Sequence, residues 1–127
     1  MNCLLRSGGN VPTPRVLVLE DEPLIAMMMR DWLAELGCET LGPAQTVQAA
    51  LALIESNPPD AAILDISVGK EDCYPVADRL QDQAVPFAFA TGRAGDNIAS
   101  RHQAAPRLSK PFDFEAVSGV ISKLLNC

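Results

Sequence analysis

Short apolar runs alternate along this chain with longer stretches whose apolar positions recur every three or four residues. The clearest runs are Val16-Leu17-Val18-Leu19, Ala61-Ala62-Ile63-Leu64 and Phe87-Ala88-Phe89-Ala90. Runs so short and so continuous predict strands buried on both faces, as in a parallel sheet. Segments 38–41 and 107–109 predict two shorter strands, the second of the five and the last. Between the strands the period changes. Pro23 suits a first helical turn, and Leu24, Ile25, Met28, Trp32, Leu33 and Leu36 keep helical spacing up to Gly37, a helix stop. Thr46 reads as the N-cap of a second helix ending before Asn57-Pro58-Pro59. After a loop over 67–74, a third helix is predicted over 75–83. A fourth, weaker one is predicted over 94–103, anchored only by Ile98 and a few alanines. Asp113 caps a fifth that carries Phe114, Val117, Val120, Ile121, Leu124 and Leu125.

Five strands alternating with five helices predict an α/β fold, a flavodoxin-like doubly wound parallel sheet in the order 2-1-3-4-5. Charge placement supports that order. Glu20-Asp21 follows the first run, Asp65 the third and Thr91 the fourth, and Lys110 follows the last strand. In such a sheet ligands bind beyond the carboxyl ends of the strands, and the first and third strands are neighbours. Three carboxylates, a hydroxyl and an ammonium then converge at one edge. That set suits a divalent cation and a phosphoryl group. Carboxylates packed without a cation repel, so removing one should stabilise the metal-free fold.

Composition narrows the picture further. The 127 residues are 48 % hydrophobic, enough for one core, and carry a net charge of −6. That charge argues against nucleic-acid binding, which needs a basic stripe. No apolar stretch approaches the roughly 20 residues of a membrane span. Residues 1–14, with Ser7-Gly8-Gly9-Asn10 and Pro12-Thr13-Pro14, read as a flexible tail, leaving 15–127 as the folded domain. Cys3, Cys38, Cys73 and Cys127 lie far apart without metal-ligand spacing, which predicts free thiols in a reduced, cytoplasmic protein. His102, the only histidine, reads as a solvated helix-end residue.

Four motifs now stand in order on this framework: Leu19-Glu20-Asp21-Glu22-Pro23, Leu64-Asp65-Ile66, Ala90-Thr91-Gly92 and Ser109-Lys110-Pro111-Phe112. Over about 15–126 the chain resembles the receiver domain of bacterial two-component response regulators. Pro86-Phe87-Ala88-Phe89-Ala90-Thr91-Gly92 and Tyr74-Pro75-Val76-Ala77-Asp78 are similar to a divergent, stand-alone group with a Phe-Ala-Thr-Gly strand end. The chain departs from common receivers in three places. No Met-Pro pair follows Asp65, Arg107 stands where an aromatic is usual, and Gly92 follows Thr91 where alanine is commoner.

The resemblance implies that Asp65 accepts a phosphoryl group from a phosphohistidine of a sensor histidine kinase or histidine phosphotransfer protein. Mg2+ would be the cofactor. Asp21 and Asp65 are implied as direct ligands, Glu20 as one acting through water, and Ser67 as one through its carbonyl. Thr91 and Lys110 would contact the phosphoryl group, and the Lys110-Pro111 peptide would be cis. The first helix is where partners of the family dock. The protein would be a switch rather than a turnover enzyme, with slow self-dephosphorylation and a response centred on residues 91–103 and Arg107. A receiver-like interaction module that is never phosphorylated is the competing expectation. A metal-dependent phosphohydrolase would need a general acid/base beside Asp65, and Ile66-Ser67 supplies none.

Overall fold

Successive residues of a strand face opposite sides of its sheet, and here both sides are covered. In β1 (Arg15–Leu19), Leu17 and Leu19 pack on one side, with β2 (Glu39–Ala44), α2 (Val47–Ser56) and α3 (Tyr74–Asp82). Val16 and Val18 pack on the other, against α1 (Pro23–Glu35) and α4 (Phe114–Leu125). The computed structural model describes residues 13–92 and 98–126. The predicted tail therefore lies outside the described residues except for Thr13 and Pro14, as do Cys3 and Cys127.

The remaining strands of the sheet are β3 (Ala61–Asp65), β6 (Phe87–Thr91) and β7 (Arg107–Ser109), and all pairings are parallel in the order β2-β1-β3-β6-β7. This is the predicted 2-1-3-4-5 arrangement, because β4 (Ser67–Val68) and β5 (Glu71–Asp72) form a separate antiparallel hairpin. The hairpin was expected as a loop. Gly69, at φ +62, provides the left-handed turn residue between its two short arms.

Four α-helices, not five, occur among the described residues. The predicted fourth helix lies partly outside them, at 94–97. Over 98–103 there is only a single 3-10 turn, Ser100–His102. Ile98 and His102 are its buried anchors, too few for an amphipathic stripe. Predicted caps are present at two helices: Thr46 accepts from the Ala49 amide at 3.0 Å and Asp113 from the Ala116 amide at 2.9 Å.

β2 runs three residues further than its apolar pattern suggested, through Gly42 and Pro43. An edge strand tolerates proline, which has no N–H for the ladder. Gly42 has φ +97, and a Cβ there would stand 2.6 Å from the Ala44 nitrogen. The register between β1 and β2 shifts at this point, and the Glu20 amide then donates to the Ala44 carbonyl at 2.9 Å. The irregular end of β2 thus fixes the backbone that carries Glu20. On α1 the buried residues are Ala26, Met29 and Leu33, while Leu24 and Met28 are exposed. The inward stripe is therefore rotated from the expected one. Trp32 is half-buried, edge-on to Phe112 and Phe114 at 6.3 and 6.5 Å.

Candidate functional site

The carboxyl ends of β1, β3, β6 and β7 meet at one edge of the sheet. β1 delivers Glu20 and Asp21, β3 ends in Asp65, β6 ends in Thr91, and Lys110 follows β7. The Lys110 ammonium lies 2.9 Å from Glu20 Oε1 and 3.2 Å from Asp65 Oδ2. Glu20, Asp21 and Asp65 each offer a ligand oxygen, and these oxygens lie within 4.8 Å of one another. Glu20 Oε2 also accepts from the Glu22 amide at 3.1 Å, which steadies the entry to α1.

Thr91 is buried one step beyond Ala90, the residue opposite Asp65 in the β3–β6 register. Its carbonyl accepts from the Lys110 amide at 2.7 Å, so the chain that carries Lys110 is tied to the chain that carries Thr91. The Lys110-Pro111 peptide is cis. Ser67 sits at the start of the hairpin, two residues past Asp65. Glu20, Asp21, Asp65 and Lys110 therefore form one cluster, with Thr91 and Ser67 on the segments that continue from it.

Two acids are buried here with one cation between them. Burial and the Glu20 charge raise the Asp65 carboxyl to about 6, against the opposing pull of Lys110. Burial also disfavours the Lys110 charge, but hydrogen bonding to Glu20 and the nearby acids outweigh it and hold the ammonium above its ordinary value. One ammonium does not neutralise three carboxylates. That excess of hard oxygen donors at short range fits a Mg2+ ion, which takes a few carboxylates, water and phosphate oxygens.

A second polar cluster lies on the same side of the sheet as α3 and overturns the reading of His102. The imidazole is buried, not solvated. Its Nε2 lies 2.8 Å from Asp78 Oδ1, and its ring stacks on Tyr74 and meets Phe87 and Phe89 edge-on. Arg101 adds a two-pronged contact to Asp78, at 2.8 and 2.9 Å, and its guanidinium lies over the Tyr74 ring. The Tyr74 hydroxyl accepts from the Ala99 amide at 3.0 Å. Hydrogen bonding from Arg101 first, then from His102, holds the Asp78 carboxyl down at about 2. Residues 99–102 are thus fastened to α3. The Tyr74-Pro75-Val76-Ala77-Asp78 motif supplies both fasteners, Tyr74 and Asp78.

Cys38 and Cys73 are free and buried. Burial, followed by the charge of Asp72, pushes the Cys73 thiol up to about 12. Cys73 is expected to resist alkylation at neutral pH in the folded protein and to react after unfolding, as read by peptide mapping. Labelling of native Cys73 at the rate of a free thiol would contradict the burial described here.

Known proteins share the family and the fold of this chain. The family described as response regulator receiver domain matches residues 16–122. The chain is 34 % identical over 114 residues to the phyllosphere-induced regulator PhyR of Methylorubrum extorquens, covering 87 % of this chain and 43 % of that protein. It is 31 % identical over 102 residues to the transcriptional regulatory protein PdtaR of Mycobacterium tuberculosis, covering 77 % and 50 % respectively. The chain thus spans about half the length of these curated relatives. Among solved structures, SdrG from Sphingomonas melonis Fr1 superposes with a TM-score of 0.79 at 43 % identity, covering 89 % of this chain and 97 % of that one. The response regulator PhyR from Brucella abortus gives 0.78 at 30 % identity, covering 91 % and 49 %. The chain belongs to the response regulator receiver domain family, whose relatives here are regulators. No helix among the described residues is long and apolar enough to cross a membrane.

Proposed function

We propose that this chain is a phosphoryl-accepting receiver of a two-component phosphorelay, with Asp65 as the acceptor. The observation that carries the reading is Asp65 itself, at the end of β3, within reach of Lys110 and of two further acids. An Asp65 oxygen bonds to phosphorus as the P–N bond of a phosphohistidine breaks, and the imidazole nitrogen keeps the electron pair. Lys110 holds Asp65 in place and presents a positive charge to the arriving phosphoryl oxygens. The Thr91 hydroxyl is assigned to donate to one of those oxygens. Asp21, Asp65, the Ser67 carbonyl and, through water, Glu20 would hold Mg2+, which would supply charge neutralisation for the transfer. Slow hydrolysis of the acyl phosphate, by water attack at phosphorus, resets the switch.

The partner assigned here is a sensor histidine kinase or histidine phosphotransfer protein in the cytoplasm. α1 begins beside the acids and exposes Leu24, Met27 and Met28, at 67, 51 and 37 %. An apolar patch next to a charged site suits docking of a helical partner. We assign residues 15–127 to the receiver domain and 1–14 to a tail. The chain's Phe89-Ala90-Thr91-Gly92 strand end supports placing it in the divergent Phe-Ala-Thr-Gly group.

With Mg2+ and a small-molecule phosphodonor, the wild-type protein is expected to gain one phosphoryl mass and Asp65→Asn none. Mg2+ binding should be weak in the wild type and lost in Asp21→Asn and Asp65→Asn. Equal labelling of the wild type and Asp65→Asn would sink the assignment of the acceptor. A wild type that takes no phosphoryl group from either a small donor or a phosphohistidine protein would favour an unphosphorylated interaction module.

A further inference from the structure

Asp21 differs from the other two acids. It is less buried than Glu20 or Asp65, and it sits in a short link between β1 and α1. A carboxylate in that position has rotamers that swing toward water, and repulsion from its two neighbours favours them. The structure shows what opposes this. Asp21 Oδ2 accepts a hydrogen bond from the Gly69 amide at 2.8 Å, across 48 residues of sequence. A bond from a backbone N–H to an ionised carboxylate is of the stronger, charge-assisted kind.

Gly69 is at the tip of the hairpin formed by Ser67–Val68 and Glu71–Asp72. The amide reaches Asp21 because the chain turns there with φ +62, a conformation that glycine adopts without strain. A proline in this loop, as in the common receiver pattern, has no N–H to offer. The contact is not the closure of the turn itself, since its acceptor lies on the far side of the site, after β1.

We propose that the Gly69 amide is the positioning group for Asp21, and that through it the hairpin and the cation site are one unit. The amide holds the Asp21 carboxylate facing Glu20 and Asp65 before any cation arrives. One carboxylate oxygen is occupied by the amide, and the other is left to ligate. The same bond fixes the hairpin tip, and with it the strand that carries Ser67. Groups that orient a metal ligand in this way contribute to affinity without touching the metal.

The inference rests on the Mg2+ site proposed above, and its test separates the two. Full-length protein with glycolic acid at position 69, assembled by chemical ligation at Cys73, replaces only the amide N–H with an ester oxygen. Its Mg2+ affinity is expected to fall roughly tenfold against the all-amide protein. Independently of metal, the Gly69 amide should exchange with solvent about tenfold more slowly in wild type than in Asp21→Ala, measured by NMR without divalent ions. Equal Mg2+ affinity of the ester and amide proteins overturns this inference alone. So does equal Gly69 exchange in metal-free wild type and Asp21→Ala. A wild-type protein that binds no Mg2+ overturns both this inference and the cation site on which it rests.

Discussion

His102→Ala is expected to destabilise the fold by about 3 kcal/mol, seen as a lower urea midpoint at unchanged slope. His102 is 4 % exposed, and its imidazole touches three aromatic rings. Truncation leaves a cavity between α3 and β6 and removes ring contacts that stabilise beyond their buried area. It also removes one of the three bonds that fasten residues 101–102 to Asp78. His102→Phe keeps a ring and loses only the polar link, while Arg101 still satisfies the exposed carboxylate. Its cost should be nearer 1 kcal/mol. The amide of Ala99, which donates to the Tyr74 hydroxyl, should lose exchange protection in the alanine variant first. An alanine variant within about 0.5 kcal/mol of wild type would behave as a surface substitution and contradict this packing.

That residue also marks a boundary of what sequence reveals. A lone histidine among arginine, glutamine and alanine, in a segment with little periodicity, carries no sign of burial. The aromatic rings that cover it come from β6 and α3, far off in sequence. Three strands, by contrast, were legible because burial on both faces leaves only one solution, an unbroken apolar run. Their order was legible because acids at two strand ends are explained by adjacency. β2 was legible only as far as Leu41. Glycine and proline read as a stop, and nothing local reveals an edge position that tolerates them. The face of α1 was ambiguous for a related reason. Met27-Met28-Met29 offers an apolar residue at every angle, and only contact with the sheet selects Met29.

The candidate site divides in the same way. Its side chains were legible, because Glu20, Asp21, Asp65, Thr91 and Lys110 each sit at the end of a recognisable run or motif. Its backbone was not. The bond from Gly69 to Asp21 uses a main-chain amide, which every residue but proline possesses. The two-residue arms of the hairpin are too short for any period to show. The expectation of repulsion among the acids can also now be located. It is seen at Asp65, which is buried beside Glu20 and shares the single Lys110 ammonium with it.

Asp65→Asn is therefore expected to be more stable than wild type near neutral pH without divalent ions. The folded state raises the Asp65 carboxyl from 3.8 to about 6, so its ionised form is disfavoured on folding. Above the folded value the ionised group costs the native state about 2–3 kcal/mol, from roughly 1.4 kcal/mol per pKa unit. Between 6 and 3.8 the native state binds the extra proton before the unfolded chain does, and wild-type stability recovers as pH falls. Below 3.8 the cost is gone, because both states are protonated. Asparagine keeps the shape without the charge, and Lys110 remains paired with Glu20. The gap between mutant and wild type should thus be widest above 6 and should close towards 3.8, as measured by urea unfolding over that range. Contributions from carboxylates that do not interact with Asp65 are common to both proteins and cancel in the difference. Added Mg2+ should reverse the order near neutral pH, because it binds the native wild type and so adds stability that the mutant cannot gain. A mutant that is less stable at neutral pH, or a gap that does not change with pH, would show that Asp65 is not held in a field of uncompensated negative charge.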